Sequence, residues 1–365
     1  MFAEIDTPAL LIDDEILERN LLSMQSLADR FSVKLRSHVK THKIPALAQR
    51  QISAGAVGIA VAKLSEAEVM ANHGISDIQI ANQVIGTQKV TRLRELARRA
   101  RVSCAVDNVE QVNELAGAFS SESRPLDLLI EIDTGLHRCG LSDPGQIHEL
   151  ARKIKSCPGV RLLGLMTHAG HAYATVGHPE KRHEIAREEG EKLVAIAKRL
   201  RSDGIDIETV SVGSTPTASE VVRVPGVTEL RVGVYIFNDM IQVALGVSTI
   251  SDCALSVLAT VISVPADDRA VIDAGSKALS LDLGAHGTTS VSGYGKIVGR
   301  DAQLSRLSEE HGVITQRGET LRIRERVRII PNHSCATVNL YDRAYLVRQG
   351  AVIDELKVQA RGCVT

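Results

Sequence analysis

The chain has no tryptophan, only four phenylalanines and five tyrosines among its 365 residues. So few flat side chains cannot build a stacking platform for nucleobases. An excess of one charge is missing too: 43 lysines and arginines stand against 44 aspartates and glutamates, a net charge of −1. With no basic block, attraction to nucleic acid or to an anionic membrane surface has no electrostatic source. No apolar run approaches the roughly 20 residues of a membrane helix, and no charged-then-apolar leader is visible at the start of the sequence. The six cysteines show no paired spacing, which predicts reduced thiols in a cytoplasmic protein. What is present is an ordinary globular composition, 44% apolar and 24% charged, with length for two domains.

Residues 7–12 read as a strand and 14–31 as an amphipathic helix. Short β-branched runs then follow at 33–39, 57–62, 77–81, 102–106, 126–132, 161–166, 207–212 and 229–236. Helical patterns separate them, among them 64–73, 87–100, 108–119, 144–156 and 179–201. Near-continuous apolar strands alternating with helices predict a parallel sheet covered on both faces, and eight of them is the number a TIM-type (β/α)8 barrel needs. An open doubly wound sheet is the competitor, weakened because no G-x-G-x-x-G follows the first strand. After about residue 238 the long helical patterns stop. Strand-like runs take over at 254–264, 269–273, 321–330, 336–340, 344–348 and 351–357. The expected architecture is α/β: a barrel over 13–240, and a second, mostly β domain built from 1–12 and 241–365.

Four strand mouths carry more polar chemistry than packing requires. The first is His38-Val39-Lys40-Thr41-His42-Lys43, where Lys40 follows a strand directly. A lysine at the C-terminal mouth of a barrel strand stands where such barrels do chemistry, and a deprotonated lysine forms Schiff bases. Neighbouring cations, here His42 and Lys43, are expected to lower its pKa. The second is a glycine-bounded loop that presents Arg138. The third carries His168, His171 and Tyr173. The fourth, Gly213-Ser214-Thr215-Pro216-Thr217, opens a helix with small and hydroxyl residues, which suits either an anion site or a plain cap. A lysine nucleophile and a phosphate cup together fit pyridoxal 5'-phosphate. Gln83, at the third strand mouth, reads equally as pocket lining or as a turn residue.

These stretches, with Glu131-Ile132-Asp133-Thr134-Gly135, Arg138-Cys139-Gly140 and Asp273-Ala274-Gly275-Ser276-Lys277-Ala278-Leu279-Ser280, resemble the D-threonine aldolase and D-serine dehydratase family. These are fold-type III pyridoxal-phosphate enzymes related to alanine racemase through the barrel. The resemblance spans the chain from Asp6-Thr7-Pro8-Ala9-Leu10 into the β domain. It implies a homodimer and Lys40 as the Schiff-base lysine and catalytic base. It also implies that Gly213, Ser214, Thr215 and Thr217, with Tyr235, hold the phosphate. Arg138 is then expected near the ring oxygen and Tyr173 near the ring nitrogen, with His168 at the same mouth.

His333 and Cys335, two apart on an expected strand, would share a face, and imidazole with thiolate suits zinc. A buried Cys beside a polar His is the plain alternative. The resemblance implies a divalent metal here, zinc first, with manganese or magnesium as alternatives. It also implies His-x-Cys for dehydratases and His-x-Asp for aldolases. The expected activity is therefore that of a metal-dependent lyase on D-3-hydroxy amino acids, dehydratase ahead of aldolase. A racemase would need a second acid/base from the β domain, for which Tyr294 and Tyr341 are the nearest candidates. A non-enzymatic cofactor carrier would not need the β domain. Asp273, Lys277 and Asp282 have no derivable role.

Overall fold

The computed structural model describes residues 2–316 and 320–365. Eight parallel strands close into a barrel: Lys34–His38, Gly58–Val61, Asp77–Gln83, Arg101–Val106, Leu126–Glu131, Val160–Met166, Thr209–Val212 and Glu229–Leu230. The ladder closes where Lys34 and Leu35 pair with Glu229 and Leu230. The last strand is shorter than the 229–236 run because the chain tightens into a 3-10 turn at Val234–Ile236.

The covering helices are amphipathic, and some are capped by a side chain. Pro144–Ser156 buries Ile147, Leu150, Ala151 and Ile154, the i, i+3, i+4, i+7 stripe that faces a core. The Asp143 carboxylate accepts from Gln146 N at 2.8 Å at its start, satisfying a donor that the helix leaves free. Truncating Leu150 to alanine would cost about 2–5 kcal/mol, as for other buried leucines. Inside the barrel, Arg36 lies between Asp77 at 2.6 Å and Glu229 at 2.7 Å. Ala105, Leu129, Leu163 and Met166 form an apolar cluster of their own. The barrel interior is therefore filled rather than a pore, and the open space lies at the strand ends.

The rest of the chain forms a nine-stranded sheet in the order Arg269–Ile272, Gly312–Gln316, Ala302–Leu307, Lys296–Ile297, Arg326–Ile330, Leu255–Ala266, Ala9–Asp13, Arg343–Arg348 and Ala351–Lys357. Ala9–Asp13 pairs antiparallel with Leu255–Ala266 and parallel with Arg343–Arg348, so the first strand does belong to the second sheet. Asp13 then caps the helix Asp14–Arg30 by accepting from Ile16 N.

Two expectations fail here. Three strands between residues 296 and 316 lack the apolar run that would have marked them. The 336–340 run is not a strand, because Ser334–Val338 is a short helix. Its β-branched composition favours a strand, but tertiary partners decide otherwise. Ser334 N donates to Asp239 Oδ2 at 2.9 Å and Ser334 Oγ to Asn238 O at 2.7 Å, anchoring the first turn against the segment that leaves the barrel. Among the described residues all six cysteines are free, and no helix is long and apolar enough to cross a membrane.

Candidate active site

A cavity of about 530 Å³ opens at the barrel mouth and is lined by Lys40, Arg138, His168, Tyr173, Ser214, Thr215, His333 and Cys335, together with His38, Gln83, Glu131, Arg231, Gly233 and His286. The first eight come from five separate stretches that the sequence singled out. Gly213, Thr217 and Tyr235 are not brought to its wall.

Lys40 sits in a 3-10 turn, Val39–Thr41, directly after the strand Lys34–His38. Packing around the amine disfavours its charge and pushes its pKa down. Arg138 and Arg231 add to this, while Cys335 and Glu66 oppose it. The source of this depression differs from the expected one. Lys43, at φ 55°, turns away to form an ion pair with Glu66 at 2.9 Å. His42 is buried and held near 4 by burial. Thus burial and two arginines from other loops, not the adjacent cations, bring the Lys40 amine down.

The tautomer of His42 is fixed. Its Nδ1 accepts from Ile44 N at 3.0 Å, so Nε2 carries the proton toward Gln51 Oε1 at 3.2 Å. Gln51 Nε2 in turn donates to Tyr235 Oη at 3.0 Å, and Ser37 Oγ lies 2.7 Å from the same oxygen. Tyr235 was expected beside the phosphate. Its hydroxyl is occupied in the interior, and only its backbone N–H reaches the cup, donating to Thr215 Oγ1 at 3.2 Å.

The neutral state of His42 sets a pH dependence. Unfolded, it takes up a proton near pH 6.5, whereas folded it does so only near 4. In that window the unfolded chain binds more protons, so stability is lost as pH falls from 6.5 toward 4. The contribution is roughly 3 kcal/mol at about 1.4 kcal/mol per pKa unit. Denaturant titrations between pH 7 and 4 should show this slope, and His42→Gln should reduce it by about one proton. An unchanged slope in the variant would contradict the assignment.

The cup is built by Ser214 and Thr215 facing the turn at Gly233 and Val234. Gly213, at φ 110°, is in the left-handed region that glycine tolerates; its N–H donates to Glu189 Oε1 at 2.8 Å. Thr217 Oγ1 donates to Glu189 Oε2 at 3.1 Å and accepts from Ser214 N at 3.1 Å. These two residues therefore brace the cup rather than line it. Glu189, on the helix Pro179–Ser202, was not foreseen; burial pushes its carboxyl up to about 7. A Cβ on Gly233 would stand 2.9 Å from His38 O and 3.0 Å from Thr41 Oγ1, so glycine is what lets this turn approach the one that carries Lys40.

His333 precedes the helix Ser334–Val338 and Cys335 lies in its first turn. Both line the same cavity because the helix start brings them there, not because they share a strand face. Burial opposes charge on His333, yet Cys335, Asp282 and Asp239 outweigh it and push the imidazole up to about 10. Burial likewise opposes the Cys335 thiolate, and His333 and Lys40 outweigh that, bringing the thiol down. His333 Nδ1 lies 2.7 Å from Asp282 Oδ2, a carboxylate partner that leaves Nε2 free for a ligand. Cys335 Sγ lies 3.4 Å from Thr41 Oγ1, which ties the pair to the turn that carries Lys40.

Sequence reasoning missed three wall residues. Arg231 donates to Thr167 O at 2.5 Å, and its buried Nε has no protein partner. His38 is driven well below its ordinary range by burial and by Lys40. His286, from the β-domain loop, places Nε2 3.4 Å from His168 Nε2 and its ring 5.3 Å from that of Tyr173. Tyr294 and Tyr341 do not line the cavity. Arg231 and His38 were visible as polar residues in strand-like runs; His286 sits between glycines with no periodic signal.

The donor set fits pyridoxal phosphate. An amine disposed to be neutral, hydroxyls beside a glycine turn, and an unpartnered arginine nitrogen share one wall. Among the described residues no group of three or more His, Cys, Asp or Glu side chains that could hold a metal ion occurs.

The comparisons agree with this geometry. Residues 12–240 match the family described as alanine racemase, N-terminal domain, and residues 254–347 match a putative serine dehydratase domain. The chain is 37% identical to D-threonine aldolase of an Arthrobacter species, over 99% of this chain and 94% of that one. It is 36% identical to D-threo-3-hydroxyaspartate dehydratase of Delftia sp. (strain HT23), over 91% and 92%. A solved cysteine-to-alanine mutant of a D-threo-3-hydroxyaspartate dehydratase, in the metal-free form, superposes with a TM-score of 0.90 at 34% identity, covering 97% of each chain. The chain belongs to this family of fold-type III pyridoxal-phosphate lyases, in which an alanine racemase-type barrel is joined to a serine dehydratase-type β domain.

Proposed function

We propose that this lyase eliminates water from a D-3-hydroxy amino acid, giving a 2-oxo acid and ammonia. The observation that carries the reading is the His333–Cys335 pair, tied through Thr41 to the Lys40 turn and open to the same cavity. Pyridoxal phosphate supplies an electron sink for a bond broken at Cα. Ser214 and Thr215 would hold its phosphate, and Arg138 would offer its guanidinium to the ring. Lys40, disposed to be neutral, takes the Cα proton. His333 and Cys335 would hold a divalent cation, zinc first, whose Lewis acidity would help the 3-hydroxyl leave. We divide the chain into a barrel over 13–240 and a β domain over 1–12 and 241–365, and read it as a cytoplasmic homodimer. His286, His333 and Cys335 reach the cavity from the same chain's β domain.

D-Threonine aldolase chemistry is the second reading, favoured by the 37% identity to a protein of that name. His286 also supplies the β-domain acid/base that a racemase would need. One experiment separates all three. Holoenzyme is incubated with D-serine, D-threonine and D-threo-3-hydroxyaspartate, and the products are identified. A 2-oxo acid with ammonia is expected. Glycine with an aldehyde would replace the dehydratase by the aldolase, and the L-isomer would indicate racemisation.

A further inference from the structure

Gln83 ends the strand Asp77–Gln83 at the cavity mouth. Its Nε2 donates to Glu131 Oε2 at 2.6 Å and to Asp107 Oδ2 at 3.2 Å. Carboxylates accept and do not donate, so the amide can face them only with its nitrogen, and both N–H groups are used. Each acid is then tied to the Arg138 loop. Asp107 Oδ2 accepts from Gly140 N at 3.0 Å. Glu131 O accepts from Leu141 N at 2.9 Å, and Glu131 Oε1 lies 3.8 Å from Arg138 Nη2. Arg138 itself is exposed, so little else restrains its long side chain. Without the amide, two carboxylates from neighbouring strand mouths would face each other with no shared donor.

We infer that Gln83 is a positioning residue: by bridging Asp107 and Glu131 as a double donor, it holds the loop that aims Arg138 into the cavity. This rests on the reading that the cavity holds the cofactor, and it assigns the amide a role through other groups rather than against the ligand.

Three variants of the holoenzyme test it: Gln83→Lys, whose ammonium keeps the donors; Gln83→Leu, which removes them; and Gln83→Glu, which adds a third acid. The readouts are the absorbance of the bound cofactor without substrate, and KM against kcat for the D-3-hydroxy amino acid that wild type turns over. Gln83→Lys is expected to keep the wild-type spectrum and KM. Gln83→Leu should shift the spectrum and raise KM about tenfold with kcat nearly unchanged, and Gln83→Glu should raise KM about a hundredfold, the range for losing charge-assisted hydrogen bonds. Loss in Gln83→Lys with tolerance of Gln83→Glu would mean that the amide oxygen meets the ligand, and overturns the inference. So would equal loss in all three, or a spectrum unchanged in both Gln83→Leu and Gln83→Glu. If wild type acts on no D-3-hydroxy amino acid but the spectra follow this order, the proposed function fails and the bridge stands.

Discussion

Lys40→Ala abolishes turnover, with a fall of at least about a thousandfold, since a positioned general base alone contributes about 10²–10⁴. The loss also includes the covalent anchor of the cofactor, because no other lysine lines the cavity. Lys43→Met should behave differently. Lys43 pairs with the buried Glu66 at 2.9 Å and lies near Cys363 O at 3.5 Å. Breaking a buried pair typically costs about 3–5 kcal/mol of stability, because one charge is left without a partner. Lys43→Met is thus expected to lower the unfolding midpoint while the surviving folded protein still binds cofactor covalently. Absorbance and rate measured on the same preparations separate the two. A cofactor-linked, active Lys40→Ala would refute the assignment.

The second large effect would follow from removing the proposed metal. Chelation, or Cys335→Ala, is expected to reduce turnover by about 10²–10⁴, since Lewis-acid help is worth several kcal/mol and about 1.4 kcal/mol is tenfold in rate. The cofactor's absorbance should survive, because Lys40 and the Ser214–Thr215 cup use none of the same atoms. Asp282→Asn should weaken metal binding by about 10–100-fold, as loss of a histidine's carboxylate partner does elsewhere. Cys335→Asp should keep a metal but prefer harder ions such as Mn²⁺, with product shifted toward carbon–carbon cleavage. Full turnover in a chelated sample shown to be metal-free would make His333 and Cys335 structural.

The barrel was legible because apolar periodicity alone sets it: each strand buried on both faces and each capped helix announces itself locally. The cavity wall was legible where a strand end fixes position, as at Lys40, Arg138 and Ser214. It was not legible where tertiary contacts decide direction. His333 and Cys335 do meet, but through a helix start anchored by Asp239, not through a strand. Tyr235 was expected at the phosphate through the family resemblance, inside the strand-like run 229–236. A 3-10 turn instead buries its ring and sends its hydroxyl to Gln51 and Ser37. His286 belongs to a loop whose place is set by His168 and Tyr173, which no local pattern encodes.

The account rests on Lys40 as the cofactor lysine, and borohydride reduction of the holoenzyme followed by peptide mapping tests that most directly. The label is expected on Lys40 alone; a label on Lys43 would contradict the site described.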